Sequence, residues 1–360
     1  MTGMVDLTNA PAAERAAMVL FEVAAHGGAQ ARAVAAAVAG GALDALESIQ
    51  PRALLSVAGS AEAAHGADVF ALVAGDEWDV PVVRSARLPS WAGPLDVLLV
   101  VGSDPGDPLL VEAVSTALRR GVTTVVSAPL EGPLQAAASG RALDLAPRLA
   151  GGDSFGFVQS LAAHIAVARA VRSARGASLV DVAALADQID QEIFSAHPSR
   201  PVFENPARAL AERMRGRRVV LAGDGPAAVA VARYGADALL RVAGEPAQAT
   251  DLVTTLFAGE RLGVGGLSAD AALFHDPEFD GPLPAAPRVF ALSAERGRWE
   301  VEAQIRRLPD AESVVVDPIQ PEPEIRRFPR QEEFADLPQL AVLAQRLALA
   351  SVYLRLGEEH

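Results

Sequence analysis

Cysteine is absent from this 360-residue chain, which removes disulfides, thiolate metal sites and a thiol nucleophile together. Aromatic residues make up only 5% of it, so its cores have to be built from small side chains, chiefly Ala and Val, in close helix-on-sheet contact. No apolar run in the sequence approaches the ~20 residues that cross a bilayer. The opening stretch MTGMVDLTNAPAAERAAMVLFEVAAHGG lacks a basic n-region and is interrupted by Glu14, Arg15 and Glu22. It reads as an amphipathic helix and not a signal peptide, which points to a cytoplasmic protein without a membrane partner.

Positive charge is also scarce. The net charge is -14, and a field of that sign repels a polyanion, so nucleic acid is not an expected partner. The pairs Arg119-Arg120, Arg217-Arg218 and Arg326-Arg327 read as solvated helix ends or strand starts. The histidines are His26, His65, His164, His197, His275 and His360. No two of them have the i, i+4 spacing that places two imidazoles on one helical face, and no metal is expected. Walker, G-x-S-x-G and H-E-x-x-H motifs are missing too, and nothing in the sequence calls for a cofactor.

What is present is an alternation. Short runs rich in Val and Leu at 53–57, 68–73, 80–86, 96–101, 123–128 and 141–146 have the unbroken apolar character of strands covered on both faces. Helical patterns surround them, at 11–25, 30–47, 108–120, 155–172 and 179–195. After the proline-broken HPSRPVFENP the alternation restarts, with strands expected at 217–223, 236–244, 271–276, 288–293 and 312–317, a helix from about Pro226, and a closing helix over 337–356. ALLSVAGSAEAAHGADVFALV and VVLAGDGPAAVAVARYGADALLRV give the same order of strand, glycine turn, helix and strand, with GAD before the second strand of each. The expected fold class is therefore α/β: two tandem three-layer (αβα) sandwich domains with mostly parallel sheets, over 1–200 and 201–360. The Pro- and charge-rich stretch 318–336 reads as a long surface connection.

Two glycine turns invite a ligand. LLVVGSDPGDPLLVEA (98–113) has the order of a phosphate-binding turn, yet carries Asp104 and Asp107 where hydroxyls and bare amides would suit an anion. AGDGPAA fits G-x-G-x-x-A through Gly223, Gly225 and Ala228, with Glu245 about 20 residues on, the layout of a dinucleotide fingerprint. Pro226 removes an amide from that turn and Asp224 adds a negative charge, so a structural turn is preferred to an NAD site. His275, at the end of the strand expected at 271–276 and close to Asp276 and Glu278, stands where a strand-end acid or base would.

The segment FENPARALAERMRGRRVVLAGDGPAAVAVARYG resembles the opening of the second domain in the bacterial and archaeal bifunctional phosphoglucose/phosphomannose isomerases. The matching positions are Asn205, Pro206, Ala207, Arg208 and the pair Arg233-Tyr234. LPSWAGPLDVLLVV and ALRRGVTTVVSAP resemble the surroundings of that family's phosphate loop, and Ser351, Tyr353 and Leu354 match its closing helix.

The resemblance implies sugar isomerase (SIS) domains, a homodimer and a sugar-phosphate or related small-molecule ligand. It also implies a strand-end ligand site, for which the candidates are Gly59, Ser60, Ser103, Asp104, Gly106, Asp107 and Ser127. The family's Ser-Tyr-Ser-Gly-Asn-Thr loop aligns with Gly102, Asp104, Pro105 and Asp107 at its Ser, Ser, Gly and Thr positions, and the family's catalytic Glu falls on Leu240. Two expectations follow. One is a protein of sugar-phosphate metabolism that has lost the isomerase machinery and binds or regulates. The other is an active aldose-ketose isomerase with Glu245 or His275 as base and Arg148 steadying the enediolate.

Overall fold

The computed structural model describes residues 12–146, 155–172, 179–259, 287–316 and 334–357, with residues 274, 276 and 279. Two parallel sheets carry the architecture. The first has the order β2-β1-β3-β4-β5, from β1 (Ala53–Ala58), β2 (Val82–Arg84), β3 (Asp96–Val101), β4 (Thr123–Ser127) and β5 (Leu143–Asp144). The second has the order β7-β6-β8-β9, from β6 (Val219–Gly223), β7 (Ala247–Asp251), β8 (Arg288–Leu292) and β9 (Ala311–Val314). In both, the first strand sits between the second and the third, so the duplication read in the sequence is present as a shared strand order. The expected α/β class with mostly parallel sheets is what the molecule has.

Period-2 alternation divides each strand between two cores. Leu54, Val97, Leu99, Val101 and Val125 face an inner core, while Leu55, Val57, Leu98, Val100 and Val126 face an outer one. In the second sheet Leu221, Phe290 and Leu292 join the same inner core, and Ala222, Val289 and Ala291 face a small outer one. The inner helical layers of the two sandwiches are thus one continuous apolar body between the sheets. It includes α3 (Ala61–Glu77), α6 (Phe157–Ala170), α9 (Pro226–Ala238) and α12 (Asp336–Gly357). The flanking helices are α1 (Ala12–Ala24), α2 (Gly27–Ala39), α7 (Val182–Ser195) and α8 (Pro206–Met214). Outside the sheets lie α4 (Pro108–Arg119) and α5 (Gly132–Ala138) on the first, and α10 (Leu252–Phe257) and α11 (Arg298–Ile305) on the second.

That shared layer explains where the sequence reading went astray. The runs at 68–73 and 236–244, expected as strands, are helix. The first lies within α3, and the second spans the end of α9 and a π-helical turn at Leu239–Ala243. A helix between two sheets is apolar on most sides, and a short window of it looks like a buried strand. The GAD triplets accordingly fall inside helices, where their glycines allow close approach. A Cβ on Gly66 would lie 2.5 Å from the Phe157 carbonyl oxygen, and one on Gly235 2.8 Å from Leu347 Cδ1. The run at 141–146 keeps only the two-residue β5. Most of the strand expected at 271–276, and 318–333 of the surface connection, lie outside the described residues.

α12 is the one described helix long and apolar enough to cross a membrane, with 78% of its apolar window buried inside the molecule. It is the central core helix: Leu337, Leu340, Leu343, Leu347, Val352 and Leu354 are all buried. A latch holds its far end to the chain between the sheets. The Asn205 side chain caps α8 by accepting from Arg208 N (2.9 Å), and its Nδ2 donates to the Tyr353 hydroxyl (3.1 Å) and the His197 carbonyl (3.2 Å). The hydroxyl in turn donates to the Ala196 carbonyl at 2.6 Å. Burial pushes the Tyr353 phenol up to about 12.

Two glycines of the same helix separate packing from propensity. Gly66→Ala is expected to destabilise by about 1–3 kcal/mol, because the α6 backbone has to move. Gly75→Ala, where a Cβ meets nothing within 4 Å, is expected to stabilise by about 0.5–1 kcal/mol. Urea unfolding midpoints measure both, and equal shifts in the two variants would refute this account of the α3–α6 contact.

Candidate functional site

The carboxyl ends of parallel strands, where the ladder stops and helices begin, are the ordinary place for a ligand in such a fold. At this edge of the first sheet the turns after β1, β3 and β4 are bound together. Gly59 N donates to the Val101 carbonyl (2.9 Å) and Gly102 N to the Ser127 carbonyl (3.2 Å). Gln159 of α6, which the sequence reading did not single out, donates through Nε2 to the same Ser127 carbonyl at 3.0 Å. Ser127 is fully buried. Ser60 is occupied in capping α3, its hydroxyl accepting from Ala63 N at 3.2 Å. Gly59, Ser60, Ser103, Asp104, Gly106, Asp107 and Ser127 are therefore neighbours along one edge.

The chemistry of that edge is set by its two aspartates. Asp104 Oδ1 accepts from Gly106 N at 2.7 Å, and Asp107 Oδ1 accepts from Leu109 N, at the start of α4, at 2.8 Å. The second oxygen of Asp107 faces Gly59, lying 2.6 Å from where a Cβ on that residue would stand. Amides of the turn and of the helix start, the donors that would grip an anion, already hold carboxylates of the chain. A phosphate arriving here would face about 1–4 kcal/mol of repulsion per carboxylate per unit charge at ~4 Å.

The corresponding turn of the second sheet is built differently. Gly223 is required, since a Cβ there would stand 2.2 Å from Val229 N, and Gly225 adopts φ +85°, in the left-handed region. No side chain caps α9. A cleft of about 120 Å³ opens beside it between the two halves of the molecule, with Glu77, Asp224, Arg296 and Asp336 on its walls. Arg296 pairs with Asp336 at 2.5 Å. Burial and the nearby Glu300 raise the Asp224 carboxyl above its ordinary range, with Arg296 opposing. Burial likewise raises Asp336.

Glu245 does not belong to this turn. β7 runs from Ala247, opposite Val219, to Asp251, opposite Gly223. At ~3.3 Å per residue this leaves Glu245 at the other edge of the sheet, roughly 15–20 Å from Gly223 and Gly225. The mistaken strand at 236–244 produced the wrong position. The acid level with Gly223 is Asp251, and it is engaged in capping α10: its two carboxylate oxygens accept from Thr254 N and Oγ1, each at 2.7 Å. Those hydrogen bonds hold its carboxyl below the usual range. The dinucleotide fingerprint is therefore incomplete. Leu240 lies 55% exposed in the π turn. Arg148 and His275 lie outside the described residues.

The chain has no lysine, its 31 Lys and Arg positions all being arginine, so it has no side-chain amine to form a Schiff base. No group of three metal-ligating side chains occurs among the described residues. His65 pairs with Asp237 of α9 at 2.7 Å, and Glu62 pairs with Arg241. These two contacts join α3 to the second half. His164 is fully buried, its Nδ1 2.7 Å from the Ser160 carbonyl and its Nε2 2.8 Å from Ser56 Oγ. Nδ1 carries the proton in this geometry, because a carbonyl only accepts, and Ser56 donates to Nε2.

No protein-family model matches the sequence, and no curated protein matches it. Solved structures do resemble the fold. The C-terminal domain of glucosamine-fructose-6-phosphate aminotransferase from Francisella tularensis superposes with a TM-score of 0.59 at 8% identity, over 98% of this chain and 97% of that one. Hypothetical protein TT0462 from Thermus thermophilus gives 0.60 at 11% identity, over 97% and 86%. A candidate phosphosugar isomerase from Bacillus subtilis gives 0.55 at 13% identity, over 93% and 94%.

Burial lowers the His164 pKa to about 4. An unfolded chain protonates this imidazole near its ordinary value of ~6.5 and the folded one only near the lowered value, so its contribution to stability is full above the first and lost as pH falls towards the second. Heteronuclear NMR of the imidazole nitrogens is expected to show Nδ1-H neutral His164 down to pH ~5; a titration near the ordinary histidine value would refute this. By its fold, the chain is similar over nearly its whole length to structures of the phosphosugar-isomerase type.

Proposed function

We propose that this is a sugar-isomerase-domain protein of sugar-phosphate metabolism that binds a sugar-derived ligand and acts as a binding or regulatory protein, without hexose 6-phosphate isomerase activity. The fold likeness supports the first part. The observation that carries the second is the pair of carboxylates, Asp104 on Gly106 N and Asp107 on Leu109 N, occupying donors that a phosphate would need. Such a turn keeps its shape without its anion, and ligand recognition falls to hydroxyls and neutral donors along the edge, Ser103 among them. The same scaffold serves catalysts and binders alike, so the chemistry of the edge has to decide between them.

The alternative, an active isomerase with Glu245 or His275 as base, would have its site away from the Gly223–Gly225 turn, since Glu245 stands at the amino edge of the second sheet. A homodimer remains part of the proposal, as does a boundary between domains near residue 200.

Proton NMR of fructose 6-phosphate or mannose 6-phosphate in heavy water with the protein is expected to show no deuterium entering C2. Asp104→Ser/Asp107→Thr is expected to tighten hexose 6-phosphate binding at least about tenfold by titration calorimetry, because two repulsive charges leave and Thr still caps α4. Deuterium incorporation, or tight binding by the unaltered protein, would overturn the proposal.

A further inference from the structure

At the amino edge of the second sheet, Arg217 and Arg218 directly precede β6, Arg288 opens β8, and Arg306 and Arg307 lie five and four residues before β9. Parallel strands share one amino edge, and at ~4.8 Å between neighbours the row is about 10 Å long. The strand starts are in direct contact: Arg288 N donates to the Arg218 carbonyl (2.8 Å), and Val289 N to the Asp310 carbonyl (2.9 Å). Arg213, at the end of α8, joins the row through Glu312 at 2.7 Å.

Part of this charge is used within the molecule. Asp310 pairs with Arg217 and Arg288, and Glu312 also pairs with Arg288. These bonds hold guanidinium planes in place and leave the edge positive, with six arginines against Glu245, Asp310 and Glu312. Arg218, Arg306 and Arg307 are exposed and have no ion pair or side-chain hydrogen bond to another described residue. In a chain of net charge -14, this is a local reversal of sign.

We infer that this edge is a docking surface for an extended acidic segment of a protein partner. Arg218, Arg306 and Arg307 are exposed, so the row offers charge on an open surface, which suits an extended chain laid across it. An extended chain with a carboxylate at every second residue presents them ~6.6 Å apart on one side, a spacing the row can meet at two points. Guanidinium forks favour carboxylates in two-point contact. The acidic remainder of the molecule disfavours a long polyanion such as nucleic acid, while screening over ~8 Å at physiological ionic strength leaves a short acidic segment governed by the local arginines.

The test uses fluorescein-labelled deca-glutamate and fluorescence anisotropy with the full chain. Binding is expected at about 50 mM salt and a loss of at least about tenfold at about 500 mM. Arg218→Gln/Arg306→Gln/Arg307→Gln is expected to weaken it at least about tenfold, with the thermal midpoint unchanged. The charge-matched control Arg87→Gln/Arg119→Gln/Arg141→Gln, on the first half, is expected to stay within about twofold. No binding at the lower salt, equal losses in both variants, or tighter binding of a ten-nucleotide single strand or of pyrophosphate would each overturn the inference.

Discussion

Burial of α12 between two sheets is the constraint on which the rest of the molecule depends. Each sheet needs cover on its inner face, and the two obtain it from one set of helices whose side chains form a single core. A leucine fully removed from water contributes about 1.5–3 kcal/mol, and α12 supplies several along its length to the helical layer between the sheets. The Asn205–Tyr353–Ala196 latch then ties that helix to the segment joining the sheets. It satisfies buried polar groups that would otherwise cost free energy.

The two edges of the sheets carry opposite chemistry. Where β3 of the first sheet ends, aspartates have taken backbone donors that parallel folds ordinarily leave for an anion. Where the strands of the second sheet begin, arginines accumulate. Both follow from the geometry of parallel sheets, which collects all amino ends on one side and all carboxyl ends on the other. A few residues per turn are enough to set the sign of a whole edge.

Legibility followed length scale. β1, β3, β4, β6 and β8 and the helices at 108–119 and 337–356 were readable because caps and periodicity are local: Asp107 before Pro108 marks a helix start in sequence as it does in space. The runs in α3 and α9 were misread because their apolar surroundings come from the opposite sheet. That error displaced Glu245 to the wrong end of β7 and hid Asp251 as the residue level with Gly223. Gln159 could not have been singled out at all, since only the packing of α6 across the sheet brings it to Ser127.

By itself the sequence determined the class of fold, the duplication and the carboxylates in the first glycine turn, because each depends on residues close together in the chain. Tertiary structure alone decided that the two inner layers would merge, that the GAD glycines would serve helix packing, and that separate arginines would line one edge. Those outcomes depend on which residues parallel pairing and core burial bring together from distant parts of the chain, and no local pattern encodes that.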